Sequence, residues 1–80
     1  MNESDIKVGV REIVAGVLSL PEDQVEWDAD FYDELGGDSL QKLEVIAYVE
    51  DRFRVRLTHD QAANSDTVNA LTHEVALNVE

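Results

Sequence analysis

The chain has 80 residues, contains no cysteine, and carries 18 acidic against 6 basic side chains, a formal net charge of −12. This length allows one domain, residues 1–80, with a single modest core. The lack of cysteine excludes disulfides, thiolate metal sites and a cysteine nucleophile. Such an acidic surface repels phosphate backbones and anionic lipid, so we expect no nucleic acid and no membrane partner. The absence of a roughly 20-residue apolar span and of a signal peptide pattern favours a cytoplasmic protein. We also expect a monomer.

The first predicted element is a helix over residues 4–19, because its apolar residues recur at spacings of three and four. These residues are Ile6, Val10, Ile13, Val14, Val17 and Leu18. Ser4 is the expected N-cap with Asp5 in the first turn. Pro21 cannot continue the helix and closes it.

Residues 20–37, LPEDQVEWDADFYDELGG, show no helical period and form a long predicted loop. Eighteen residues is long for a connection in so small a domain, which indicates a functional or self-packed segment. We expect Phe31 and Leu35, helped by Val25, to hold the loop on the core. For Trp27, packing is favoured over a role in recognition.

A second helix is predicted from Ser39 to Arg52 or Phe53. Asp38 is a suitable N-cap, and Gln41 three residues later completes a capping-box pattern. Val45, Val49 and Phe53 form the inward stripe, with Ile46 beside them. The opposite face mixes aliphatic and acidic side chains, which is unusual for a purely solvated face. Its residues are Leu40, Leu43, Glu44, Ala47, Glu50 and Asp51.

The acidic charge is concentrated around this second helix. Residues 20–51 contain eleven acids and one base, Lys42, a net charge of −10. Net charge alone can serve solubility, but clustering around one glycine-serine element favours a surface that docks basic partners. The arginines at 52, 54 and 56 are interpreted as favourable cations near the end of this helix.

The remaining sequence predicts a short helix over 59–64 and a last helix that begins at Ser65 or Asp66. The stripe of the last helix consists of Val68, Leu71, Val75 and Val79. No β-hairpin signal, repeat or low-complexity segment is present. The predicted fold class is therefore all-α: a small four-helix bundle, three helices longer and one short, with a long loop between the first and second.

Hydrolytic chemistry is disfavoured by the residues around Ser39. A nucleophile elbow needs glycine two residues before and two after the serine. Gly37 satisfies the first condition, but Gln41 occupies the second position. His59 and His73 are available as bases, yet an 80-residue helical domain has little room for an oxyanion hole and a substrate pocket.

Metal and nucleotide chemistry are equally poorly supported. An EF-hand register from Asp28 and Asp30 places Tyr32 at position 5, Asp33 where glycine is required and Ser39 where glutamate is required. The two histidines lack acidic neighbours with ligand spacing, and no Gly-Lys-Ser or Gly-Lys-Thr occurs. We therefore expect no catalytic residue and no metal site.

Two interpretations of Ser39 follow from its position alone. A serine in the first turn of a helix faces N–H groups and a dipole that favour an anion, including a phosphate ester on the serine itself. Gly36 and Gly37 lack side chains and let another enzyme approach the hydroxyl closely. The alternative is an ordinary helix-start residue.

The stretch DELGGDSLQKLEVIAYVEDRF closely resembles the attachment motif of the acyl carrier and peptidyl carrier proteins. That family has Leu-Gly-x-Asp-Ser-Leu after an acidic residue, a glutamate five positions after the serine, an acidic pair before a phenylalanine, and a phenylalanine in the preceding loop. The matching residues here are Leu35, Gly36, Asp38, Ser39, Leu40, Glu44, Glu50, Asp51, Phe53 and, in the loop, Phe31.

The resemblance implies a non-catalytic carrier. A phosphopantetheinyl transferase would use coenzyme A to attach 4′-phosphopantetheine covalently to Ser39, and the thiol of that arm would hold an acyl or aminoacyl group as a thioester. The implied partners are this transferase and acyltransferase, ketosynthase or adenylation-type loading enzymes with basic docking patches. The family's docking surface carries over to Asp38, Leu40, Leu43, Glu44, Ala47, Glu50 and Asp51. We expect lysine at Glu44 or Glu50 to weaken docking with little effect on folding.

Four departures bear on the pathway. Many carriers of primary fatty acid synthesis have alanine where Gly37 stands and a larger apolar residue at Ala47. Lys42 adds a positive charge to the acidic helix, and Arg52 stands where another acid is common. LGGDSL is similar to carriers of polyketide or nonribosomal peptide pathways, including antibiotic biosynthesis, so we expect a free-standing carrier of that kind.

Three alternatives stay open: a carrier of primary fatty acid synthesis, an unloaded acidic interaction module with the same fold, and, more distantly, a hydrolase. Two arrangements of the cargo also stay open, between the helices or exposed at the surface.

Overall fold

The computed structural model describes residues 2–79, so Met1 and Glu80 of the predicted domain lie outside the described residues. Over this range the chain forms four α-helices and a short 3₁₀ turn at Glu22–Gln24, and no strand. The helices are α1 (Glu3–Leu18), α2 (Ser39–Phe53), α3 (His59–Ala63) and α4 (Val68–Asn78). This confirms the predicted all-α bundle with one short helix. Within these residues no helix has both the length and the apolar character needed to cross a membrane.

Helix α1 begins one residue earlier than predicted because Asn2, and not Ser4, caps it. The Asn2 side-chain oxygen accepts a hydrogen bond of 2.9 Å from the backbone N–H of Asp5. Ser4 therefore lies inside the first turn. At the other end Ser19 adopts the left-handed conformation (φ 57°), and the N–H of Leu20 returns to the Ala15 carbonyl at 2.9 Å. Helix α1 thus closes before Pro21 is reached.

Helix α4 begins after Thr67, whose hydroxyl accepts a hydrogen bond of 3.0 Å from the N–H of Ala70. The predicted start at Ser65 or Asp66 is wrong, because neither residue is free to cap the helix: both side chains have other partners. The buried Ser65 hydroxyl donates to the Gln61 carbonyl at 2.6 Å, and the Asp66 carboxylate accepts from Lys42. The short helix α3 is confirmed to within one residue.

The core lies between α1, α2 and α4. Its members follow the predicted stripes, and all are buried: Ile6, Val10, Val14, Val45, Val49, Phe53, Val68, Leu71 and Val75. Helix α2 lies close to α1 at Gly9, where an added Cβ would be 2.6 Å from Cζ of Phe53. At the surface of the same contact, Arg52 forms a half-exposed ion pair of 2.9 Å with Glu12.

The long loop packs against the bundle through its apolar residues, as predicted. Val25 and Phe31 are buried and Leu35 is partly buried. Trp27 is also a packing residue: Lys7 Nζ lies 4.6 Å and Arg11 Cζ 4.2 Å from the centroid of its ring. Two backbone bonds, from Phe31 N to the Asp66 carbonyl (2.7 Å) and from Asn69 N to the Trp27 carbonyl (3.0 Å), tie the loop to α4 and the segment before it.

Candidate functional site

The acids of the loop before α2 organise their own backbone. The Asp30 carboxylate accepts hydrogen bonds from the N–H groups of Tyr32 (3.0 Å) and Asp33 (2.8 Å). The Asp30 N–H in turn donates to the Glu34 carboxylate at 3.0 Å. These oxygens are engaged in the turn, and the described residues contain no group of three or more His, Asp or Glu side chains that could hold a metal ion.

The two glycines before Ser39 have different structural roles. Gly36 has a positive φ of 75° and open space around it, a conformation that glycine adopts without strain. Gly37 lies against the buried ring of Phe31, where an added Cβ would overlap Cε2, and its N–H donates to the Phe31 carbonyl at 2.9 Å. The close packing of Gly37 on the Phe31 ring was not predicted from the sequence, because no residue near Gly37 in the chain indicates the position of that ring.

Asp38 caps α2 and leaves Ser39 free of that task. The Asp38 carboxylate accepts a hydrogen bond of 2.8 Å from Gln41 N, and the Gln41 side chain accepts one of 3.1 Å from Asp38 N. The predicted capping box is thereby confirmed. Ser39 is the exposed first residue of the helix. Its hydroxyl makes no hydrogen bond within residues 2–79.

The outward face of α2 is aliphatic at its centre and acidic around it. Leu40 and Leu43 are 68% and 67% exposed. Glu44, Ala47 and Asp51 are exposed as well. Apolar side chains held in water among carboxylates fit a surface that is covered when a basic partner binds.

Glu50 differs from the other acids of this face. Its side chain is partly buried, and one carboxylate oxygen accepts a hydrogen bond of 2.9 Å from the backbone N–H of Leu57. Glu50 therefore holds the segment after α2 in place. Substitution at this position will affect that segment as well as any contact with a partner.

A groove of about 660 Å³ between α1 and α2 adjoins the outward face of α2. Ile13 and Val17 of α1 and Tyr48 of α2 line it, with Glu44 and Asp51 among the acids around it. Tyr48 is 55% exposed and was not included in the predicted face. The signal for it was its position four residues after Glu44, which places both on one side of the helix.

The sequence indicated that Lys42 adds a positive charge to the acidic helix, but the structure directs this side chain away from the outward face of α2. It is only 7% exposed. Its ammonium group donates to the Asp66 carboxylate at 2.8 Å and to the Ala62 carbonyl at 3.1 Å. The long aliphatic stem lets the charge reach inward to a partner 24 positions along the chain, so the outer face keeps its acidic character.

Comparison with known proteins gives a consistent result. The family model described as "Phosphopantetheine attachment site" matches residues 8–75. A curated acyl carrier protein from Exiguobacterium sibiricum is 37% identical over 68 residues, covering 85% of this chain and 86% of the relative. An acyl carrier protein from Beutenbergia cavernae is 37% identical over 73 residues, covering 90% and 89%.

The fold has a close counterpart among solved structures. The acyl carrier protein from Enterococcus faecalis superposes with a TM-score of 0.81 over 98% of this chain and 99% of that chain, at 24% sequence identity. At this level of identity the likeness is one of fold alone.

Proposed function

The chain belongs to the acyl carrier protein family, the carriers with a phosphopantetheine attachment site, and we propose that Ser39 is the residue that bears the arm. Members of this family are non-catalytic carriers, and their cofactor is covalently attached 4′-phosphopantetheine. They interact with a phosphopantetheinyl transferase and with enzymes that handle acyl groups. Residues 1–80 act in this proposal as one carrier domain.

The proposal rests on one observation: the Ser39 hydroxyl is exposed at the first turn of α2 and makes no hydrogen bond to any described residue, because Asp38 performs the capping. In the transfer, the Ser39 oxygen attacks the phosphorus that bears the pantetheine part of coenzyme A. The bond from that phosphorus to 3′,5′-ADP breaks, and the serine proton passes to a base of the transferase. The phosphodiester left on Ser39 is an anion at a helix N-terminus, where the dipole favours negative charge.

This assignment also accounts for a carrier without cysteine. The thiol that forms the thioester arrives with the arm, so the chain needs no sulfur nucleophile of its own. Gly36, with no side chain and open space around it, leaves room beside Ser39 for the active site of the transferase.

Intact-mass spectrometry tests the assignment directly. Incubation with coenzyme A and a broad-specificity transferase should add one phosphopantetheine to the wild-type chain and to Ser4→Ala, and none to Ser39→Ala. Ser4 is a matched control, since it is also an exposed serine in the first turn of a helix. Folded wild-type protein that gains no mass would overturn the proposal. A chain that is wholly unmodified in its host yet binds a partner would instead favour the unloaded interaction module.

For the partners, we propose that the exposed face of α2 is the docking surface for loading and processing enzymes with basic patches. Its residues are those predicted from the sequence: Asp38, Leu40, Leu43, Glu44, Ala47, Glu50 and Asp51. The exposed leucines provide a small apolar centre and the carboxylates provide steering. Such surfaces give fast and exchangeable complexes, as a shuttle requires.

For the cargo, we propose an acyl group in preference to an aminoacyl group, because the curated relatives are acyl carrier proteins. Their names favour primary fatty acid synthesis over the polyketide or nonribosomal peptide role that LGGDSL indicates. Loading assays separate these roles. Malonyl transfer by the acyltransferase of fatty acid synthesis supports the first, and loading only by a polyketide acyltransferase or an adenylation enzyme supports the second.

A further inference from the structure

Among residues 2–79, Lys42 is the one charged residue that is buried, with 7% of its surface exposed. Its ammonium group is held by the Asp66 carboxylate at 2.8 Å and the Ala62 carbonyl at 3.1 Å. The rings of Phe31 and Tyr32 lie beside it, with centroids 5.9 Å and 5.5 Å from Nζ. A buried ammonium group is stable only while such partners remain in place.

The position of this ion pair relates it to Ser39. Lys42 follows Ser39 by three residues, so both lie on the same side of α2 one turn apart. From there the lysine spans the gap between α2 and residues 62–66, the segment that leads into α4. A chain attached to Ser39 and directed into the bundle at this gap meets the Lys42 side chain first.

The interior behind the ion pair is closely packed. A cavity of about 10 Å³ lies there, lined by Phe31, Leu35, Lys42, Val45, Val68 and Leu71. A cavity of this kind needs about 10–15 Å³ to hold a single water molecule. An acyl chain needs many times that space, so it can enter only if the lining side chains move apart.

We propose that the Lys42–Asp66 ion pair closes the core beside Ser39 and keeps an acyl chain on the arm outside the bundle, where partner enzymes reach it without extraction. The inference rests on the proposed function, because it requires cargo on Ser39. Entry of the chain would break the ion pair and leave the ammonium group either unpaired in the core or displaced to solvent. Lys42 and Asp66 thus determine whether the cargo is held inside or outside the bundle.

The test compares the phosphopantetheine form with its octanoyl thioester, made by transfer from octanoyl coenzyme A and verified by intact mass. In the wild-type chain we expect no nuclear Overhauser effects from the octanoyl methylenes to the methyl groups of Val45 or Leu71. We also expect no rise in the unfolding midpoint on octanoylation, because no apolar surface of the cargo is buried.

Two variants remove the closure by different routes. Lys42→Ser shortens the side chain that fills the gap, and Asp66→Ala removes the counter-ion, so that the lysine turns outward to water. In both we expect octanoyl contacts to Val45 or Leu71 and a midpoint at least about 5 °C above that of the same variant without cargo. Arg52→Ala, which removes the exposed pair with Glu12, is the matched control and should behave as the wild type.

The outcomes are distinguishable. Octanoyl contacts to the core in the wild-type chain would overturn the inference and leave the proposed function intact. Variants that load octanoyl but keep it outside would show that the ion pair is not the closure. If the wild-type chain gains neither phosphopantetheine nor its octanoyl thioester, the proposed function is overturned together with the inference. If Lys42→Ser does not fold, Asp66→Ala carries the same comparison.

Discussion

Asp38 and Ser39 are adjacent in the chain, but their side chains have separate roles. Asp38 satisfies a backbone N–H at the start of α2, and an unsatisfied helix start costs free energy whether or not a cofactor is attached. The Ser39 hydroxyl makes no hydrogen bond to the rest of the fold within residues 2–79. Stability and loading can therefore be separated by single substitutions at neighbouring positions.

We predict that Asp38→Ala lowers the free energy of unfolding by about 1 kcal/mol, whereas Ser39→Ala changes it little and abolishes loading. Asp38→Asn should keep the stability, because asparagine caps as well as aspartate, while it removes one charge from the docking surface. Urea denaturation followed by circular dichroism measures all three. Equal stability of Asp38→Ala and wild type would contradict the capping role.

A second prediction concerns the two glutamates of the proposed docking surface, Glu44 and Glu50. Glu50→Ala should cost about 1–2 kcal/mol, because it leaves the Leu57 N–H without its charged acceptor. Glu44→Ala should change the free energy of unfolding by no more than about 0.5 kcal/mol, since this side chain is exposed and makes no hydrogen bond or ion pair with the described residues. Denaturant titration of both variants checks the difference, and equal effects would argue against a structural role for Glu50.

At the scale of the helices, substitution by alanine should affect stability differently at the two glycines of α1. Gly16 is exposed with no neighbour within 4 Å of an added Cβ, whereas the Cβ at Gly9 would meet Phe53 at 2.6 Å. Both substitutions gain helix propensity of about 1 kcal/mol, but only Gly9→Ala also strains the contact between α1 and α2, at about 1–3 kcal/mol. We predict that Gly16→Ala stabilises the protein and Gly9→Ala does not. Thermal unfolding midpoints of the two variants provide the measurement.

The helices themselves were predictable because their apolar residues repeat at spacings that only one side of a helix can bury. The caps of α1 and α4 were not, because several capping residues stand together at each start. At α4, Asp66 is unavailable because it pairs with Lys42, 24 positions away, and Ser65 is unavailable because its buried hydroxyl donates to the Gln61 carbonyl.

In the candidate site, too, some features were predictable from the sequence and others were not. The position of Ser39, its capping neighbour and the exposed leucines follow from local pattern. The burial of Lys42 and the contact of Gly37 with the Phe31 ring depend on segments that meet only in the folded chain. Local sequence does not indicate which segments of the chain will come into contact.

Considered as a whole, the molecule presents its negative charge unevenly. Residues 20–51 contain eleven acids and a single lysine, and that lysine is turned inward. The field of α2 is therefore not cancelled locally, and it extends about one Debye length into solvent. This field should raise the rate of association with a basic partner more than it lengthens the lifetime of the complex.

We predict that Glu44→Lys slows association with a phosphopantetheinyl transferase by about tenfold at low salt, and that added salt reduces the difference. Glu22→Lys, which makes the same charge change in the exposed 3₁₀ turn outside α2, serves as the control and should have a much smaller effect. Stopped-flow measurements at two ionic strengths test this. Rates that respond equally to both reversals would indicate that total charge, and not the face of α2, governs encounter.

The stacking of Lys7 and Arg11 on Trp27 has a practical consequence. Trp27 is the single tryptophan of the chain, and its carbonyl also accepts from Asn69 at the start of α4. Its fluorescence therefore comes from one place, the junction of α1, the loop and α4. Emission excited at the indole band should shift to longer wavelength when this junction opens. The protein thus contains its own optical reporter of unfolding, with no label attached.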